Sequence, residues 1–570
     1  MTDRTDGNRT VGEVLVDLLA RAGVDTVFGV AGSTIMPILD ALVDDGRVQY
    51  VGARHELSAA EMASGYARAS ARLGVVMTHV GPGASSCVTA LAGAARDGVP
   101  LLLITGNEES QTLARQPYHD WDLRGVMSAL TAFSYQITRP DELPHVLRRA
   151  LSEAVRGVTR PVHIDLPEDL ALAPVDPGEA AAWLADIEPV LAGMAAAPAV
   201  PLSRPAPSTA EVTAAVELLA GAQAPLVVVG EAVRWSADGG AVFDRCEQLG
   251  VPYATTFGAR GGVGDRPGYV GTVGRFGSKD TTALLGDADV VLALGAELSD
   301  VDTVRWRNPG PDARIIAVHV DAGKIDRRLP ATIGVLADVD EFLRALVPVA
   351  GERGVTPPDA WRERAARVDR RNGPAGTPAD ADDPPLDALL IARAIEAAPD
   401  DWVVACDPGL GPLTLSAPAE FGGSRFLYAY GLGAMGFAVP STIGAVHADG
   451  VAGGLAIVGD GSLFMSLSSL ESVASLDVPV VVLVIDDGGF GSQRQKQREA
   501  YGRNVGVDYA NPDIAAISAA MGIEASWINS REDVQALCDS LPGRTRGAVA
   551  VVRRARDHEG TWYEGSVRRR

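Results

Sequence analysis

One kind of segment recurs along this chain and limits what it can fold into: a short run of four to six residues, dominated by Val, Ile and Leu and seldom interrupted by a polar residue. Such runs occupy residues 74–77, 101–105 and 162–166, then 226–229, 290–294 and 315–320, then 455–458, 480–485 and 548–552. Continuous rather than alternating apolar runs suit strands buried on both faces, as in parallel sheets. Stretches with helical spacing, such as 11–22 and 210–219, lie between them and supply the crossovers. The predicted fold class is therefore α/β with open parallel sheets. Two stretches without periodicity interrupt the pattern, AAAPAVPLSRPAPS at 195–208 and GPAGTPADADDPP at 373–385, and both read as exposed linkers. They divide the chain into three expected domains, 1–185, 205–350 and 386–555. Aromatic residues make up only 5% of the chain, so the cores must lean on Ala, Val and Leu.

The formal net charge of −23 argues against nucleic acid as a partner, since phosphate binding needs a basic face. Glycine-rich loops and a metal ion can still hold one small anion within an acidic protein. The opening residues, MTDRTDGNRT, contain no apolar stretch of the kind a signal peptide needs. No apolar run approaches the ~18 residues that would suggest a membrane span. The four cysteines (Cys87, Cys246, Cys406 and Cys538) lack metal-ligand spacing and read as reduced core residues. The expected location is cytoplasmic.

The most informative stretch runs from 455 to 497. A strand, LAIV, leads into Gly459-Asp460-Gly461-Ser462. A second strand, VVVLVI, ends in Asp486-Asp487-Gly488-Gly489, which puts Asp487 27 residues after Asp460. Acidic residues at the ends of neighbouring parallel strands meet at the sheet edge where open α/β sheets bind ligands. Mg²⁺ takes one or two carboxylates plus phosphate oxygens, and glycines let the backbone approach the phosphates. A bare GDG also suits an ordinary turn at a strand end; the second acidic strand end favours a metal–diphosphate site.

Three further segments join it. Cys406-Asp407-Pro408-Gly409-Leu410-Gly411 follows a strand, as a simple turn or a phosphate cradle would. Gly431-Leu432-Gly433-Ala434-Met435-Gly436-Phe437 precedes Asp460, with Met435 25 residues before it. Near the N-terminus, Arg54-His55-Glu56 opens a helical stretch that continues to Gly65-Tyr66-Ala67-Arg68. Thr78-His79-Val80-Gly81-Pro82-Gly83 follows, with His79 23 residues after Glu56.

Together these segments resemble the thiamine diphosphate-dependent superfamily of acetolactate synthase, benzoylformate decarboxylase and pyruvate decarboxylase. The likeness covers nearly the whole chain, in the right order. It implies three domains (pyrimidine-binding, central and diphosphate-binding), with thiamine diphosphate and Mg²⁺ as cofactors. It implies that Glu56 activates the cofactor by holding a proton on its pyrimidine ring nitrogen. By the same match Asp460, Asp487 and the Gly489 carbonyl hold the metal. Gly409, Leu410, Gly411, Gly433, Gly459, Gly461 and Ser462 border the cofactor, and Met435 bends it. Asp486-Asp487 stands where the family has an Asn pair, which adds negative charge beside a diphosphate.

His79 falls where acetolactate synthases carry Ser and benzoylformate decarboxylase a catalytic His. It is a candidate proton carrier, or else a satisfied buried histidine. His119 falls near a family Gln and is a second catalytic candidate. Ser33 matches a loop that touches substrate in relatives. The run Gln493-Arg494-Gln495-Lys496-Gln497-Arg498 offers a cation for a substrate carboxylate, or a solvated helix face. The family's flavin-side RFDDR stretch is replaced by Ala296-Glu297-Leu298-Ser299-Asp300, which argues against FAD in the central domain.

The resemblance implies decarboxylation of a 2-oxo acid followed by carboligation, with decarboxylation alone as the alternative. A non-catalytic binding subunit of this fold is the rival from another class. It further implies a homodimer or homotetramer in which Glu56 and Asp460 of different chains reach one cofactor.

Overall fold

The computed structural model describes residues 8–196, 202–236, 239–264, 266–370, 384–409 and 425–556. It contains three six-stranded sheets, every strand pair within them parallel. The apolar runs of the sequence form their central strands. In the middle sheet, Leu226, Val228, Val291 and Ala293 enter one core cluster, while Val227, Val229, Leu292 and Leu294 enter another. Alternate side chains thus meet a packed layer on each face. That is why these strands read as unbroken apolar runs.

The chain forms two compact units. The first comprises residues 1–203 together with 429–449. Its sheet has the order Gln49–Gly52, Thr26–Gly29, β1 (Gly74–Thr78), β2 (Leu101–Asn107), β3 (Val162–Pro167), Phe133–Gln136. The strand order reverses between Thr26–Gly29 and β1, which opens a crevice at their carboxyl ends. Helix α1 (Glu56–Ser70) leads into β1, and helix α2 (Ala438–Ala445) packs across it. The contact is very close. A Cβ on Gly65 would lie 1.9 Å from the Ser441 carbonyl oxygen, and one on Gly444 would lie 1.8 Å from that of Met62. Only glycine at both positions lets the two backbones meet at this distance, and all eight residues of α2 are buried.

The second unit comprises residues 204–428 and 450–570 and holds two sheets. The central one runs Tyr269–Thr272, Tyr253–Thr255, Pro225–Val229, Val290–Leu294, Arg314–His319, Ile333–Leu336. The other runs Arg425–Leu427, Trp402–Cys406, β4 (Gly453–Gly459), β5 (Val480–Asp486), Ala548–Arg553, Glu524–Ile528. Its order reverses between Trp402–Cys406 and β4, so residues 407–409, which follow Cys406, and the segment after Gly459 lie at the reversal point. Helix α3 (Asp460–Met465) starts directly from β4, and α4 (Gly491–Tyr501) follows the loop after β5.

Candidate active site

In the first unit the functional side chains gather at the reversal point of the sheet. His55 caps α1, its Nδ1 accepting the Leu57 N–H at 3.1 Å, so Glu56 is the first helical residue. The Glu56 backbone carbonyl accepts a weak bond from the Cys87 thiol at 3.6 Å. Its half-buried carboxyl faces Gly83, where a Cβ would sit 3.3 Å from Oε1 and 2.3 Å from Thr78 Oγ1.

His79 leaves the end of β1 and is fixed by Thr34, whose hydroxyl lies 2.7 Å from Nδ1. Its ring meets that of His119 edge to face at 4.6 Å between centroids. His119 Nδ1 in turn lies 3.0 Å from Glu108 Oε1. Burial, and then the neighbouring His119, hold the His79 imidazole below the usual histidine range; Glu108 and Glu56 pull the other way. His79 is therefore disposed to be neutral at physiological pH, with a nitrogen free to take a proton. Glu108 is itself positioned: its N–H donates to Asn107 Oδ1 at 2.8 Å, and Asn107 Nδ2 donates to the buried Asp165 at 2.7 Å.

The structure thus brings Glu56, His79 and His119 together. Ser33 is exposed, and its neighbour Thr34 makes the contact to His79. Gly433 and Met435 belong to this unit as well. Gly433 takes a left-handed φ of 65°, and the stretch is anchored where the Gly431 N–H donates to Asp97 Oδ1 at 2.5 Å.

In the second unit Asp460 and Asp487 are 1% and 5% exposed, at the ends of neighbouring strands. Asp460 Oδ2 accepts the Gly489 N–H at 2.7 Å and a bond from Asn511 Nδ2. Asn511 also donates to Asp486 Oδ1 at 2.8 Å, tying the two strand ends together. Arg494 is 3% exposed and turns inward from α4. It donates to Asp487 Oδ2 at 3.3 Å, to the carbonyls of Asp487 and Gly488 at 3.1 Å each, and to Asp508 at 2.5 Å. It is neither a solvated face nor free for a substrate; it braces the loop.

Burial, then the charge of Asp460, push the Asp487 carboxyl up. Burial raises Asp460 too, offset by the Asn511, Gly461 and Gly489 donors. Two buried carboxyls that resist joint ionisation are a donor set suited to a hard divalent cation. Gly409, Gly459, Gly461 and Ser462 lie at or just beyond the carboxyl ends of Trp402–Cys406 and β4, the strands on either side of the reversal point; Leu410 and Gly411 lie outside the described residues.

Comparison with known proteins divides the chain into three domains, the last of which includes the 429–449 stretch of the first unit. Residues 9–126 match the thiamine pyrophosphate enzyme N-terminal TPP binding domain, 212–346 the central domain and 416–552 the C-terminal TPP binding domain. The chain is 30% identical over 534 residues to the acetolactate synthase isozyme 2 large subunit of Escherichia coli K12, covering 92% of each chain. The chain belongs to the thiamine pyrophosphate enzyme family. It is also 29% identical over 538 residues to a probable acetolactate synthase large subunit of Methanocaldococcus jannaschii, covering 92% of this chain and 88% of that one. The acetolactate synthase large subunit of Parasynechococcus marenigrum is 30% identical over 531 residues, 91% of this chain and 83% of its own. Members of this family are enzymes that bind thiamine diphosphate, and the expected α/β architecture with three parallel sheets is the one observed. No helix among the described residues is long and apolar enough to cross a membrane.

The sequence pointed to Glu56, His79, Asp460 and Asp487 through motifs. It gave no sign of Thr34, Glu108, Asn511 or the inward turn of Arg494. Each of these acts through a side-chain contact that no motif encodes, and two of those contacts join distant segments. Thr34 lies 45 residues from His79, and Asn511 lies 51 residues from its partner Asp460.

Proposed function

We propose that this enzyme joins 2-oxo acids in the manner of acetolactate synthase, releasing CO₂ and using thiamine diphosphate with Mg²⁺. The observation that carries the reading is the grouping of the Glu56 carboxyl with two histidines at the sheet's reversal point, in a chain that aligns with acetolactate synthase subunits over nearly its full length. When bound, thiamine diphosphate supplies a carbon nucleophile and an electron sink for the bond beside a carbonyl. Glu56 holds the proton on the pyrimidine side. Asp460, Asp487 and the Gly489 carbonyl hold Mg²⁺ and through it the diphosphate; Arg494 and Asn511 keep that loop in shape. Glycines at 409 and 459 leave open space for phosphate oxygens, Gly461 borders them through its backbone while its missing side chain admits the Phe490 ring, and Met435 supplies apolar support. Joining two 2-oxo acids with loss of one CO₂ consumes one proton, which His79 or His119 is placed to deliver. Ser33 is proposed as a substrate contact. The assembly is proposed to be a homodimer or homotetramer.

The paired histidines favour a second reading, in which the proton goes to carbon and an aldehyde leaves without ligation. A single experiment tests both. Protein supplied with thiamine diphosphate and Mg²⁺ is incubated with a panel of 2-oxo acids, and CO₂ and organic products are followed by mass spectrometry. Acyloin products support ligation, and aldehyde alone supports the second reading. Glu56→Gln is expected to lower turnover at least a hundredfold while the fold persists. Undiminished turnover in that variant would remove the basis of the proposal.

A further inference from the structure

His79, Glu108 and His119 each offer a ligand atom, and the three atoms lie within 4.8 Å of one another. They come from three segments. His79 follows β1, Glu108 follows β2, and His119 sits in the loop beyond the turn at Leu113–Arg115. From this cluster we infer a binding site for a late first-row divalent metal ion such as Zn²⁺ or Co²⁺, separate from the Mg²⁺ site at Asp460 and Asp487.

The donor chemistry selects the class of ion. Two imidazoles and one carboxylate suit Zn²⁺, Co²⁺, Ni²⁺ or Fe²⁺, whereas Mg²⁺ prefers oxygen ligands alone. Zinc bonds of ~2.0–2.2 Å place tetrahedral donors about 3.4 Å apart. The Glu108–His119 pair, at 3.0 Å, already has close to that separation, and small side-chain rotations bring in the third atom. A bound imidazole needs its other nitrogen held by an outer partner. His79 has one: Thr34 lies 2.7 Å from Nδ1, leaving Nε2 to face the ion.

The backbone around the cluster is fixed. Gly81 adopts a φ of 61°, and a Cβ there would lie 2.3 Å from the His119 carbonyl oxygen, so the His119 loop rests directly on the turn after His79. Three protein ligands leave a fourth position open, as in zinc sites that also bind a small oxygen ligand. An ion here occupies the nitrogens that the proposed function assigns to proton delivery, so it acts as an inhibitor or as a substitute electrophile. Its presence does not depend on that function.

The test uses the full chain with thiamine diphosphate and excess Mg²⁺, titrated with Co²⁺ and followed by visible absorption. The expected result is one Co²⁺ per chain, with the strong visible bands of a four- or five-coordinate ion. Those bands are expected to vanish in Glu108→Gln and His119→Gln. Thr34→Val, which removes only the outer partner, is expected to weaken binding by about 10- to 100-fold. Circular dichroism establishes that each variant is folded. Absence of the bands in the parent protein would overturn the inference. So would bands of equal strength in both folded ligand variants, because the ion would then sit elsewhere.

Discussion

Replacing Gly65 with alanine adds one methyl group where α1 meets α2. That methyl would lie 1.9 Å from the Ser441 carbonyl oxygen, against an ordinary contact distance of at least 3.4 Å. The helices must separate by about 1.5 Å, because the obstructing atom is backbone and cannot rotate away. Overpacking of this kind costs about 1–3 kcal/mol. At about 2–4 °C per kcal/mol for a domain of this size, the thermal midpoint should fall by roughly 2–12 °C. Glu56 is the first residue of the displaced helix, and a misplacement of ~1 Å in a reacting group can cost on the order of 10²-fold in rate. Scanning calorimetry and steady-state kinetics read the two effects. Gly444→Ala meets the Met62 carbonyl at 1.8 Å and should behave alike. The double variant should cost less than the sum, since one separation relieves both clashes. Gly93→Ala is the control: it lies in the helix Val88–Asp97 with nothing within 4 Å of its Cβ position. It should stabilise by about 1 kcal/mol through helix propensity. A Gly65→Ala protein that melts within ~1 °C of the parent and turns over normally would refute the argument. So would full additivity in the double variant.

Other perturbations probe the second unit. Asp487 keeps its proton in the folded state between its ordinary 3.8 and about 7, where the unfolded chain has lost it. Stability of the metal-free protein should therefore fall as pH rises through that window, and the stabilisation conferred by Mg²⁺ plus cofactor should grow over the same range. Thermal melts from about pH 5 to 8 test this; Asp487→Asn should flatten the dependence yet retain metal, since its amide oxygen can still coordinate. At a pH above about 7, where Asp487 is ionised, Arg494→Met leaves that buried charge without its guanidinium partner and should cost about 3–5 kcal/mol. Mg²⁺ should restore part of that loss, and an unchanged melt with or without the ion would show that Arg494 does not brace the loop.

The parallel sheets were legible because each depends on a local property. A strand buried on both faces is apolar wherever no partner satisfies a polar side chain, and runs such as 290–294 display that without reference to the rest of the chain. The metal loops were legible for a related reason: Asp460 and Asp487 sit at the ends of two such strands, so locating the strands also located the acids. The contacts that tune the site depend on distance in space alone. Nothing near Arg494 distinguishes an inward guanidinium from the charged helix face its neighbours form; its direction is set by Asp487, Asp508 and two carbonyls that only the folded loop presents. Glu108 shows the same limit more sharply. In sequence it is one acid beside another, Glu109. In the fold, the Asn107–Asp165 pair aims it at His119, and Glu109 points elsewhere, with its carboxylate accepting from Gln111. Motifs thus located the groups expected to touch the cofactor. The supporting groups became visible only when the chain had closed around them, and the variants at Gly65, Thr34 and Arg494 all act through that supporting layer.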